Sequence, residues 1–309
     1  MKITADDRRA LRALRIRLRT ILPEEYQDSY ESLEPAPMKS AGLKYSADGK
    51  VAWDEIWGSF CDLAMAGGPP HKGALLEPAG SAEIDQDPDS SARVSAEICR
   101  GITMATALHA QSSPHAGWVR VHCDTENMAD WLLRAIVMEN VLVRQDGKAL
   151  DLPSSPGFRL EKEIKNVVTV VAKTTHYWEE HMSLAQQRSI ASLFASMNAE
   201  RPLVAPPLAL DGAASDWDAS GAVSLAETIR EEIGLSPSSR RYAGWVGVEC
   251  RSVRAAIWMM RGLVATNVLA RREGTALFVP VNRALDPGGA VVARTTGQIH
   301  RLATVAGVP

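Results

Sequence analysis

The sequence predicts an α+β protein of two internally duplicated helix-strand-helix-hairpin-helix units around a pseudo-twofold axis, led by an N-terminal helical and hairpin region. Three observations predict it. The stretch from Ala116 to Pro153 aligns without a gap on Ala243 to Pro280, and the identical pairs include Trp118/Trp245, Cys123/Cys250, Trp131/Trp258, Asn140/Asn267 and Gly147/Gly274. In each copy an alternating apolar-polar run precedes apolar residues at helical spacing, as in a half-buried strand feeding an amphipathic helix. Each copy then turns through a Gly-containing hairpin signal, Gln145-Asp146-Gly147 or Arg272-Glu273-Gly274.

The elements follow in chain order. Residues 1–90 form the N-terminal region. Asp6 to Leu22 is a helix with Leu11, Leu14, Leu18 and Ile21 on one face. Arg8, Arg9, Arg12, Arg15, Arg17 and Arg19 fall largely on the others, which suits a solvated face or a dock for an acidic partner or RNA. Leu43 to Trp53 reads as a hairpin around Ser46-Ala47-Asp48-Gly49, and Asp54 caps a helix through Met65.

Residues 91–200 make the first repeat unit, 201–223 a Pro/Ala-rich linker, and 224–309 the second repeat unit. In the first copy Trp118 to Cys123 is the strand, and Asp124 or Thr125 caps a helix carrying Met128, Trp131, Leu132, Ala135 and Ile136. Asn140 stands where a left-handed C-cap residue is expected. A final helix has Ile164, Val167, Val168, Val171 and Trp178 on one face. Its Val170-to-Thr175 segment, VVAKTT, returns as VVARTT at Val291 to Thr296.

Composition excludes some classes. The 309 residues are 46% hydrophobic and 23% charged with a net charge of -3, close to an average globular chain. With 34 Lys+Arg against 37 Asp+Glu there is no broad basic surface for generic nucleic-acid binding. No apolar run approaches the ~20 residues that span a bilayer, and the first residues lack a secretory signal's apolar stretch, so a cytoplasmic location is expected. Cys61, Cys99, Cys123 and Cys250 are widely spaced without a CxxC pair, which argues against a zinc ribbon or a disulfide framework.

Several groups carry potential chemistry. Gly67-Gly68-Pro69-Pro70-His71-Lys72-Gly73 combines glycines that let backbone amides approach an anion with His and Lys donors, although a stiff surface turn explains the prolines equally. If the last helix of the first copy persists, His176 and Glu180 share a face at i, i+4, with His181 slightly off it, as a divalent-metal site would require. Cys123 and Cys250 are matched core thiols or a metal or redox pair. Arg134 and Arg261 sit in apolar helices and need partners, for which Asp146 or Glu273 in the hairpins are expected. No triad signature, nucleophile elbow or dinucleotide fingerprint is present, so whether the protein is an enzyme stays open.

The pattern GWVxVxC, then WLLRA or WMMRG, then NVLxRxxGxAL, resembles the accessory region behind the chelatase domain of some bacterial sirohydrochlorin cobaltochelatases. The match covers Gly117 to Pro153 and Gly244 to Pro280. That family's region is associated with an iron-sulfur cluster on closely grouped cysteines, which this chain lacks. The resemblance implies a protein of tetrapyrrole or cobalamin-type cofactor metabolism, enzyme or accessory factor, and the Gly67-to-Gly73 residues suggest that it holds a small anionic ligand near His71 and Lys72. The alternative is a non-catalytic scaffold whose duplicated units present a surface to a protein partner.

Overall fold

The computed structural model describes residues 3–24, 42–55, 73–207 and 219–308. They fall into two compact units. The terminal unit takes Met1–Glu34, Met182–Pro207 and Ala214–Pro309, and the central unit takes Pro35–His181 with Leu208–Ala213. The N-terminal region is therefore divided, its helix belonging to one unit and its hairpin to the other.

Helix α1 (Ala5–Ile21) opens the terminal unit and buries Leu11, Leu14, Leu18 and Ile21. Its start is fixed by a capping box, in which Thr4 Oγ1 accepts from Asp7 N at 3.1 Å and the Asp7 carboxylate accepts from Thr4 N at 2.8 Å.

The central unit begins with a bridge between Tyr45 and Val51 and a single 3₁₀ turn, Trp53–Glu55. The helix expected to continue to Met65 lies outside the described residues. Helices α2 (Ser81–Gln86) and α3 (Pro88–Thr106) follow, the second capped by Asp87. Strands β1 (His109–Ser112) and β2 (Trp118–His122), helix α4 (Glu126–Met138), and the hairpin strands β3 (Arg144–Asp146) and β4 (Ala149–Pro153) come next. The sheet is antiparallel in the order β1-β2-β4-β3. Helix α5 (Lys165–His176) packs on α3 and α4 and is flanked by π-helical turns at Leu160–Ile164 and Tyr177–His181.

The terminal unit resumes with α6 (Leu184–Glu200), α7 (Ala219–Ile233), β5 (Trp245–Glu249), α8 (Val253–Val264), β6 (Arg271–Glu273), β7 (Ala276–Pro280) and α9 (Ala290–Val305). Its sheet order is β5-β7-β6, and α1 packs on α6, α8 and α9. No helix among the described residues is long and apolar enough to cross a membrane.

The segments that align in sequence carry the same register. Trp118 pairs with Pro153 and Val121 with Leu150, and Trp245 pairs with Pro280 and Val248 with Leu277. Each intervening helix ends at a left-handed asparagine, Asn140 at φ 61° and Asn267 at φ 65°.

The likeness extends beyond the aligned stretch. Leu76 N donates to Asn140 O at 2.9 Å and Leu142 N to Leu76 O at 3.0 Å, while Val204 N donates to Asn267 O at 3.0 Å and Leu269 N to Val204 O at 2.9 Å. Residues 201–207, expected as linker, are thus a docked edge of the terminal unit, and 219–223 already belong to α7. Proline cannot donate to a ladder, so a segment rich in it reads as loop even when its remaining amides pair.

Candidate functional site

Of the anion-binding candidates, Gly67, Gly68, His71 and Lys72 lie outside the described residues, and Gly73 is an exposed bend. Gly73 has a counterpart in the terminal unit. Asn140 Nδ2 donates to the Gly73 carbonyl at 3.3 Å, and Asn267 Nδ2 donates to the Arg201 carbonyl at 2.7 Å. The position held by glycine in one unit is held by an arginine in the other.

Arg201 lines a cavity of about 570 Å³ within the terminal unit, together with Arg17, Arg294, Glu200, Thr266, Asn267 and Gln298. Local chemistry explains the placement of each. Helix α6 stops at Glu200 because Pro202 holds Arg201 in an extended conformation, φ -167° and ψ 136°. Asn267 then pins the exit by donating to Asn198 Oδ1 at 2.9 Å as well as to the Arg201 carbonyl. Arg201 Nη2 donates to Thr266 O at 2.9 Å. Helix α9, which brings Arg294, is held at its start by Asp286, whose carboxylate accepts from Val291 N at 3.0 Å and Val292 N at 2.9 Å. It is held near its end by Arg301, whose Nη2 donates to Asp7 Oδ2 at 2.7 Å.

The electrostatics of this cavity differ from those of the matching place in the central unit. There Lys173, at the position of Arg294, is buried and meets Glu139 at 2.9 Å. The residue aligned with Glu139 is Thr266, which carries no charge. No side chain among the described residues pairs with Arg294, and Arg17 makes only a long 3.5 Å contact to the Ala265 carbonyl. Arg201 Nε is buried without a hydrogen-bond partner. An orphan buried donor costs about 1–3 kcal/mol, so it calls for an acceptor.

A second cavity, of about 680 Å³ in the central unit, has its main charges already matched. Arg100 pairs with Glu97 at 2.6 Å, and Glu97 also accepts from Trp53 Nε1 at 2.8 Å.

His176, Glu180 and His181 do come together, but not around one point. Glu180 Oε1 lies 3.2 Å from His176 Nδ1, and His181 Nε2 lies 3.0 Å from His176 Nε2, on the opposite side of the ring. The π-helical turn brings His181, five residues on, to the ring that i, i+4 spacing assigns to Glu180 alone. No group of three His, Cys, Asp or Glu side chains among the described residues is placed to hold a metal ion.

Cys123 and Cys250 are each buried in their own unit, and burial pushes both thiols up to about 12, which suits core packing. The expected partners of Arg134 and Arg261 are taken. Asp146 meets Arg120 at 3.3 Å, and Glu273 meets Arg271 at 2.6 Å and Arg240 at 3.0 Å. Arg134 instead donates to the Asp130 carbonyl at 2.8 Å, one turn back on its own helix, and burial brings its guanidinium down to about 10. Asp146 reaches across the sheet to Arg120, and Glu273 pairs along its own strand with Arg271.

Comparison with protein-family models, curated proteins and solved structures finds no match for this chain.

Proposed function

We propose that this protein binds a small carboxylate- or phosphate-bearing ligand in the arginine-lined cavity of the terminal unit. The observation that carries the reading is the uncompensated charge there. Arg17, Arg201 and Arg294 line one cavity in which Glu200 is the only acidic lining residue among the described residues, and Arg201 keeps a buried donor without an acceptor there. The volume falls in the ~300–1,000 Å³ range of small-molecule sites. Arginine presents a planar fork of donors suited to carboxylate and phosphate.

We infer further that the two units descend from one duplicated ancestor, a view that the shared register and left-handed asparagines support. On that view the cation of the ancestral helix became a ligand group in one copy, as Arg294, and a structural ion pair in the other, as Lys173. The resemblance to the cobaltochelatase accessory region makes a propionate-bearing tetrapyrrole the first ligand to try, with citrate and inorganic phosphate as smaller probes. Gly73 is the counterpart of Arg201 through its bond to Asn140, and the Gly67-to-Gly73 stretch remains the second place that the sequence suggests for the same chemistry.

Calorimetric titration with uroporphyrin, citrate and phosphate tests the reading. Saturable binding is expected, weakened at least ~10-fold by Arg201→Ala, since a charge-assisted hydrogen bond contributes about 1.5–3 kcal/mol. Thr266→Glu should abolish it by supplying the carboxylate that the other unit already has. Equal binding by wild type and both variants sinks the cavity assignment. Capture of a specific protein partner by a chain that binds none of the probes favours the scaffold instead.

A further inference from the structure

His176 ends α5, and His181 ends the π-helical turn that follows. In an α-helix, side chains five residues apart diverge. The wider π turn brings these two together, with ring centroids 4.8 Å apart at 68° and Nε2 atoms 3.0 Å apart. Single π turns are rare and occur frequently at functional sites. Glu180 contacts His176 Nδ1 at 3.2 Å. A carboxylate there fixes the tautomer, because Nδ1–H donates to it and Nε2 keeps its lone pair.

We propose that His176 and His181 bind one divalent transition-metal ion through their Nε2 atoms, with Glu180 orienting His176 from behind. Two nitrogens each ~2.0–2.1 Å from a tetrahedral zinc ion stand about 3.3–3.4 Å apart, so the 3.0 Å seen here needs only a few tenths of an ångström of ring movement to admit the ion. Paired imidazoles without sulfur select zinc, nickel or copper(II) over magnesium and calcium. Both rings are only partly buried, so the ion exchanges with solvent. Glu180 then acts as the outer partner of a carboxylate–histidine–metal relay, and its charge raises the basicity of the ligating nitrogen. The site uses no residue of the arginine cavity and is independent of the anion-binding reading.

The full chain, prepared without a histidine tag, is titrated with Zn²⁺ by calorimetry and examined by X-ray absorption at the zinc edge. The expected result is one zinc per chain with two imidazoles in the first shell. His181→Ala and His176→Ala should each lose at least ~10-fold in affinity, and Glu180→Gln about 10–100-fold. Should an alanine variant fold poorly, His181→Gln keeps the volume and polarity and must still lose the ion. Three results overturn the proposal: no stoichiometric zinc, sulfur in the first shell, or affinity unchanged in the histidine variants. In those cases the 3.0 Å contact is an N–H···N hydrogen bond between the rings.

Discussion

Lys173 and Arg294 occupy the same place in the VVAKTT and VVARTT helices, yet they do different things. In the central unit Glu139 closes an ion pair on Lys173 at 2.9 Å, and the helix contact is settled within the unit. In the terminal unit Thr266 replaces the glutamate and Arg294 faces a cavity instead. The sheets show the same divergence. Asp151 in β4 accepts from Arg120 Nε at 2.8 Å and Nη2 at 2.9 Å, and Arg144 stands 3.4 Å away. At the aligned position the terminal unit has Phe278, and Arg271 packs over its ring with 4.0 Å to the centroid. The same strand register thus centres an ion network on Asp151 in the central unit, whereas in the terminal unit Arg271 stacks on Phe278 and pairs along its own strand with Glu273 at 2.6 Å. Where Thr266 stands in place of a glutamate, no side chain among the described residues closes on Arg294.

The largest effect expected is on the buried pair. Glu139→Thr, which imposes the terminal unit's residue on the central unit, takes the carboxylate from buried Lys173 and should destabilise by about 3–5 kcal/mol in urea unfolding. A loss below ~1 kcal/mol would mean that Lys173 escapes to solvent and that the two copies differ less than their geometry says. Next come the matched left-handed glycines. A Cβ on Gly117, at φ 79°, would stand 2.2 Å from the Ala79 carbonyl oxygen, whereas one on Gly244, at φ 76°, would meet Pro206 Cβ at 2.7 Å. Both alanine variants should lose about 3 kcal/mol, with Gly117→Ala the worse because backbone cannot step aside. Equal losses would put the whole cost in the positive φ.

The smallest effect concerns acid. Arg301 holds the Asp7 carboxyl below the usual carboxylate range through their hydrogen bond, helped by the Thr4 amide and hydroxyl. A depressed carboxyl stabilises fully above its unfolded value near ~4 and loses that contribution as pH falls through the folded one. Acid should therefore loosen α1 from α9 in the terminal unit, and Asp7→Asn should flatten that part of the stability profile below pH ~4. An unchanged profile would show that the exposed side of the pair is screened.

The strand-helix-hairpin core of each copy was legible because its signals are local: alternation in Trp118 to Cys123, spacing from Met128 to Ile136, and the left-handed Asn140. The docking of 201–207 was not, since Pro202, Pro206 and Pro207 mimic a linker and the bonds to 267–269 come from far along the chain. The arginine cavity was hidden for a related reason. Arg17, Arg201 and Arg294 come from three distant helices or their edges, and Arg17 reads as one of many exposed charges on α1. One signal was present in the alignment: Glu139 opposite Thr266 beside Lys173 opposite Arg294 is a lost charge pair. Periodicity foresaw the meeting of His176 and Glu180 but not the π turn, because nothing in the residue spacing marks a single i→i+5 bond.

The division of the chain has a consequence during synthesis. The central unit is drawn almost entirely from one continuous stretch, Pro35–His181, and can close while the ribosome is still working. The terminal unit cannot, because Asp7 waits for Arg301, a partner 294 residues further on. Helix α1 is made before α6, α8 and α9, the helices it packs on, and its apolar stripe of Leu11, Leu14, Leu18 and Ile21 is fully covered only once all three have emerged.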